Sequence, residues 1–260
     1  MIAMDFGLGG IEQDFWRVVF LMTRIGAAMI AAPLFGGANV PAMVRVVATA
    51  ALAIFAAVWL PPMATPPALF SAAGLLTLAG EVLVGLTLGF VLQIAFAAPQ
   101  LAAELISGGM GMSMATAANP DSGVQTTALG QYFSVVLTLI FLALGAHLHW
   151  IALLMESYRA FPPGETWLGP ERFALVGSFV GEMFVTGLRI ALPLVLILLL
   201  VQIFTGILSR SAPSLNLFAL GLPAGILAGI AALIVTAPLI HDQLTDLTAD
   251  MLTQVEMVLQ

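Results

Sequence analysis

Six long apolar stretches, nearly free of charge, leave this chain few folds to adopt. They cover about Trp16–Ala32, Ala42–Leu60, Leu69–Ala98, Thr126–Leu154, Phe173–Leu208 and Leu215–Ile240. A bilayer core is about 30 Å thick, and a helix crosses it with roughly 20 mostly apolar residues. Within lipid only helices and closed barrels satisfy every backbone polar group. None of the six stretches alternates with period two, so helices are predicted. The expected class is all-α: a membrane-associated protein of about six long, partly kinked helices.

Composition narrows the function. Of 260 residues, 61% are hydrophobic and 8% charged, against about half and a quarter in soluble domains. This excludes an ordinary soluble enzyme and a disordered chain. All seven basic residues are arginine, and fourteen acids bring the formal charge to −7. Nothing there attracts a polyanion, so no nucleic-acid partner is expected. The absence of cysteine excludes disulfides, thiolate metal sites and a cysteine nucleophile. Asp5 and Glu12 precede the first basic residue, and Arg17 and Arg24 interrupt the first apolar run. That is not the pattern of a removable signal, so the N-terminus is expected to be retained.

The connections carry helix breakers. Pro33 to Pro41 separates the first two stretches, and Pro61, Pro62, Pro66 and Pro67 stiffen the second connection. The third runs from Pro99 to Gln125; Pro162, Pro163 and Pro170 mark the fourth, and Ser211–Pro213 the fifth. Leu69–Ala98 has 30 residues, or about 45 Å of helix. Phe173–Leu208 is longer still, with Pro193 as the expected hinge. Arg45 and Arg210 flank odd-numbered connections, whereas Arg159 and Arg172 lie in an even-numbered one, so arginine fixes no orientation. Near the C-terminus Asp242, Asp246 and Asp250 form an acidic stripe opposite Leu244, Leu247, Met251, Val255 and Val258. This is a surface helix or the end of the sixth helix.

Small residues at i+4 form ridges that let membrane helices approach closely: Gly85 with Gly89, Gly177 with Gly181, and Gly221 with Gly225 and Gly229. Ionisable residues inside apolar runs must face protein or water. Arg17 and Arg24 share one helix face, as do Glu182 and Arg189; Glu81 and Glu104 stand alone. They read either as a proton relay or as structural polar contacts, and their scatter favours the latter. His147 and His149 are two apart, the wrong spacing for a shared metal. There is no GxSxG elbow, triad or phosphate loop, so no catalytic residue, metal or cofactor is expected.

The third connection holds Met110, Met112 and Met114 among Gly108, Gly109 and Gly111. Methionine repacks around varied shapes, and glycine permits non-helical backbone. At membrane depth such backbone belongs inside protein or along a cavity. The residues leave two readings open: a deformable plug in a conduit, or a re-entrant packing loop.

Motifs throughout the chain carry a resemblance. They include Arg24, Ala32-Pro33-Leu34-Phe35-Gly36, Pro41 and Arg45, then Gly80-Glu81, Gly85 and Gly89-Phe90. Gly111-Met112-Ser113, Pro120 and Ser122-Gly123 follow, with Gly145, His147, Ser157 and Pro162. The most specific block runs from Gly206 through Ser209-Arg210 and Pro213 to Asn216, with Phe218, Gly221 and Pro223 beyond it. In order and spacing the chain resembles the FliR family of the flagellar type III protein export gate, which includes injectisome counterparts. It departs from the family pattern at Asn119, Ser214 and Gly225.

The resemblance implies a helical channel assembly built from hairpins with FliP-like and FliQ-like subunits. FlhB-like and FlhA-like export components would lie nearby, in the bacterial inner membrane at the flagellar basal body. The exported unfolded flagellar proteins and membrane lipid would be the other partners. It further implies a FliP-like part over 1–170, including a channel plug in loop 104–125, and a FliQ-like kinked hairpin over 171–260. The rival is a secondary transporter of a small solute, proton-coupled through Glu81, Glu104 and Glu182.

Overall fold

The computed structural model describes residues 9–37, 40–60, 71–112, 127–162, 169–211 and 217–260. Among them are seven helices and no strand. They are α1 (Gly9–Ala31), α2 (Ala42–Trp59), α3 (Ala72–Gly109), α4 (Ala128–Ala143), α5 (Ala146–Ala160), α6 (Pro170–Ser211) and α7 (Leu217–Leu259). Met114, Pro120, Pro213 and Asn216 lie outside the described residues.

Two elements depart from the expected outline, the third connection and the fourth apolar stretch. The third connection does not begin at Pro99, because α3 continues through it to Gly109. An internal proline removes one helical hydrogen bond, but neighbouring helices make this tolerable in membrane helices. Here α6 lies directly alongside: a Cβ on Gly187 would stand 2.8 Å from the Ala98 carbonyl oxygen. The fourth apolar stretch is two helices, broken where Gly145 takes a left-handed φ of +68° that glycine adopts freely. Pro193 lies within one continuous α6. The acidic C-terminal stripe belongs to α7, which runs unbroken from the last apolar stretch.

Among the described residues four helices are long and apolar enough to cross a membrane: α2, α3, α6 up to Leu208, and α7 from Pro223. The bent pair α4 and α5 makes a fifth span if counted as one. The first helix is not among them, since Glu12, Asp14, Arg17 and Arg24 dilute its apolar run. An 18-residue α2 is about 27 Å long, close to one hydrocarbon thickness. It buries only Thr49, Ala53 and Ala56 and exposes Val47, Ile54, Phe55, Val58 and Trp59. Exposed apolar faces on α6 and α7, including Leu199, Phe204, Leu227 and Ile234, repeat the pattern. Such faces require lipid or partner protein as solvent.

The chain forms two compact units. The first comprises Met1–Ile94, Gly145–Phe179 and Met251–Gln260, and the second Ala95–Leu144 and Val180–Asp250. In the first, Leu21, Ile25, Leu88, Trp150 and Leu154 are fully buried. The Trp150 indole donates to the Leu88 carbonyl at 3.3 Å and stacks on Phe35 with ring centres 5.9 Å apart. In the second, Ala98, Ile106, Phe133, Phe141, Ile190 and Leu194 are buried. Phe96 meets Phe141 edge to face at 5.8 Å, and Gln100 donates to the Ser134 hydroxyl at 3.3 Å.

Candidate functional site

The first unit is organised around a buried charge. Arg24 and Glu81 are both at 0% exposure, where an unpaired ion is very costly. Arg24 Nε donates to Glu81 Oε2 at 2.8 Å and Nη2 to Oε1 at 2.9 Å, a bidentate fork. The remaining donors reach the end of α5: Nη1 to the Ser157 carbonyl at 2.8 Å and its hydroxyl at 3.2 Å, Nη2 to the Phe161 carbonyl at 2.8 Å. All five guanidinium donors are engaged. The Tyr158 ring lies 4.1 Å below the guanidinium carbon, and its hydroxyl donates to the Leu21 carbonyl at 2.8 Å. A cation at a helix C-terminus also complements the dipole there. One arginine thus ties α1, α3 and the end of α5 together. Both Glu81 oxygens accept from Arg24, so this carboxylate ties helices together.

Close backbone approach completes the tie. Glu81, Gly85 and Gly89 recur every fourth residue along one face of α3. A Cβ on Gly85 would overlap the Arg24 carbonyl and stand 2.9 Å from Ala27 Cβ. On Gly89 it would lie 2.5 Å from the Ala28 oxygen and 2.6 Å from Ala31 Cβ. The alanines of α1 and glycines of α3 therefore meet with no side chain between them. Gly177 and Gly181 have the same spacing, yet a Cβ on either meets nothing within 4 Å. Spacing alone did not place that pair against a neighbouring helix within the chain.

The second unit contains the methionine-glycine segment, and its described part is a helix end. Gly111 takes φ +79°. Its amide donates to the Gly108 carbonyl at 3.0 Å and that of Met112 to Ser107 at 3.0 Å, the two bonds of a Schellman motif. Met110 donates to Ile106 at 2.9 Å. The next carbonyl, on Gly109, receives the Gln202 side-chain amide at 2.8 Å. Thus the helix-end carbonyls from Ile106 to Gly109, which lack amides further along a helix, all find donors. Met110 is 5% exposed and rests on α7. A Cβ on Gly225 would stand 3.1 Å from its carbonyl oxygen, and one on Gly229 2.6 Å from its side-chain atoms. Gly109 faces Leu198 of α6.

The family of bacterial export proteins, family 1, matches residues 15–251. The chain belongs to this family. The flagellar biosynthetic protein FliR of Pectobacterium carotovorum subsp. carotovorum is 33% identical over 251 residues, 94% of each chain. That of Escherichia coli (strain K12) is 30% identical over 264 residues, 99% of each. That of Bacillus subtilis (strain 168) is 32% identical over 237 residues, 88% of each. Membership makes the chain a component of a flagellar export apparatus and not an enzyme. Its apolar helices make it a membrane protein.

Within this export family member, the sequence-derived residues fall in separate places. Arg24 and Glu81 pair, although 57 residues apart. Pro33 lies in the turn after α1, and Pro41 stands at the N-cap of α2. Arg45 donates to the Val40 carbonyl at 2.9 Å, closing the same connection. His147 is partly buried, with Nδ1 unpaired among the described residues. His149 contacts Glu256 at 3.3 Å on an exposed surface. Among the described residues no group of His, Asp and Glu is arranged to hold a metal. Arg210 is exposed at the end of α6, Gly221 lies in the first turns of α7, and Gly108 has open space beside it. Glu104 and Glu182 are exposed. Gln202 and Tyr158 were not singled out from sequence. A lone amide in the run Val195–Leu208 was the available signal for Gln202.

Proposed function

We propose that this chain is the FliR-type subunit of a flagellar type III export gate, lining part of a protein-conducting channel in the bacterial inner membrane at the basal body. FliP-like and FliQ-like subunits cover its exposed apolar faces, with FlhB-like and FlhA-like components nearby. The FliP-like part is 1–170 and the FliQ-like hairpin 171–260, with Pro193 as its hinge. The segment Gly108–Met114 closes the channel at rest and yields to unfolded flagellar proteins. The observation that carries this reading is the family match over 15–251 together with an apolar Gly-Met segment at a helix end. The rival solute transporter loses its main ground, because Glu81 is bound at both oxygens by Arg24. The test is deletion of Gly108–Met114 within the intact complex. Complex recovery on a native gel stays near normal, while ion conductance in planar bilayers rises by about tenfold or more, as loss of about 1.4 kcal/mol of closure would give. An unchanged conductance overturns the plug.

A further inference from the structure

We propose that Gln202, Gly225 and Gly229 form a seat that fixes the end of α3 and so holds the channel closed at rest. This rests on the plug reading above and names the residues that position its first half. Three observations carry it. Gln202 is the lone amide in the apolar run Val195–Leu208, and it donates to the Gly109 carbonyl at 2.8 Å. In an apolar setting both groups would be costly if left unpaired. Secondly, Met110 is buried against Gly225 and Gly229, and neither position has room for a Cβ without movement of Met110. Thirdly, Gly111 turns the chain left-handed immediately afterwards, so the seat sets the direction in which Met112 leaves the helix.

The seat is built from reversible contacts. It uses one neutral hydrogen bond and a flexible side chain against bare backbone, with no ion pair. Such contacts hold one position yet release it without separating charges. Gln202 and the two glycines are therefore positioning residues for the closed state, and they act through Met110 and Gly109.

The test uses the full complex purified from its native membrane, with conductance normalised to recovered complex. Gln202→Leu keeps side-chain bulk on an exposed, apolar part of α6 and removes the amide that donates to Gly109. It leaves recovery unchanged and raises the resting conductance about fivefold, the effect of one neutral hydrogen bond. Gly229→Ala forces the Met110 side chain to repack against α7 and raises conductance in the same direction. A purely structural role would lower recovery and leave conductance per complex unchanged. Deletion of Gly108–Met114 in the same assay separates the two proposals. If the deletion leaks but Gln202→Leu and Gly229→Ala remain tight, the seat is wrong and the plug stands. If the deletion is tight as well, both fall.

Discussion

The Arg24 cluster and the contacts at the end of α3 both tie helices together, and they are chemically opposite. In the first unit a buried guanidinium spends all five donors on a carboxylate, two carbonyls and a hydroxyl, and it is flanked by glycine–alanine contacts that admit no side chain. In the second, a single neutral amide and a methionine lying on two glycines hold the end of α3. Hydrogen bonds to charged groups contribute about 1.5–3 kcal/mol each, against about 0.5–1.5 for neutral ones. A buried ion pair is also hard to open, because either half left alone is a desolvated charge. The Arg24 cluster therefore suits a fixed framework, and the Met110 seat suits a part that changes position during transport.

That contrast is broken most severely at its charged end. Arg24→Ala or Glu81→Ala is expected to cost about 3–5 kcal/mol and to abolish recovery of the complex, measured by native gel and membrane protein level. Arg24→Lys fails nearly as fully, since an ammonium lacks the fork and the five donors. Recovery at the normal level would remove the framework role. The next effect concerns the helix approach. Gly89→Leu forces α1 and α3 apart and lowers the melting temperature of the complex, at about 1–3 kcal/mol for overpacking. Gly177→Leu, facing open space within the chain, leaves the chain's own packing intact. Equal melting temperatures for the two variants would erase that distinction. The smallest effect sharpens the second unit: Gly111→Ala places a Cβ on a left-handed residue, at about 1–2 kcal/mol. It is expected to raise conductance more than it lowers thermal stability.

Much of the fold was legible because lipid restricts the choices. The apolar runs gave the helices, and the spacing from Leu244 to Val258 gave the buried face of the final one, where all five apolar residues are buried. Proline was misleading at Pro99, because a neighbouring helix decides whether an internal proline ends a membrane helix. Gly145 was quoted as part of the resemblance but not read as a break, since a left-handed φ leaves little trace in composition. Glu81 lies four residues before Gly85, so their common face was readable. Its pairing with Arg24 was not, because nothing local couples residues 57 positions apart. The glycines of the Met-rich segment were read as general freedom to bend. In the structure only Gly111 requires left-handed backbone, while Gly108 and Gly109 are helical.

The most direct measurement compares Glu81→Gln with Gln202→Leu in the full complex, recording recovery and resting ion conductance per recovered complex. Each substitution changes one polar side chain, one in the charged tie and one in the neutral tie. The expected outcome is a separation. Glu81→Gln sharply lowers recovery, and the complexes that do form stay tight. Gln202→Leu is recovered normally and leaks. If Glu81→Gln assembled normally and leaked, while Gln202→Leu failed to assemble, the division between framework and seat would be contradicted.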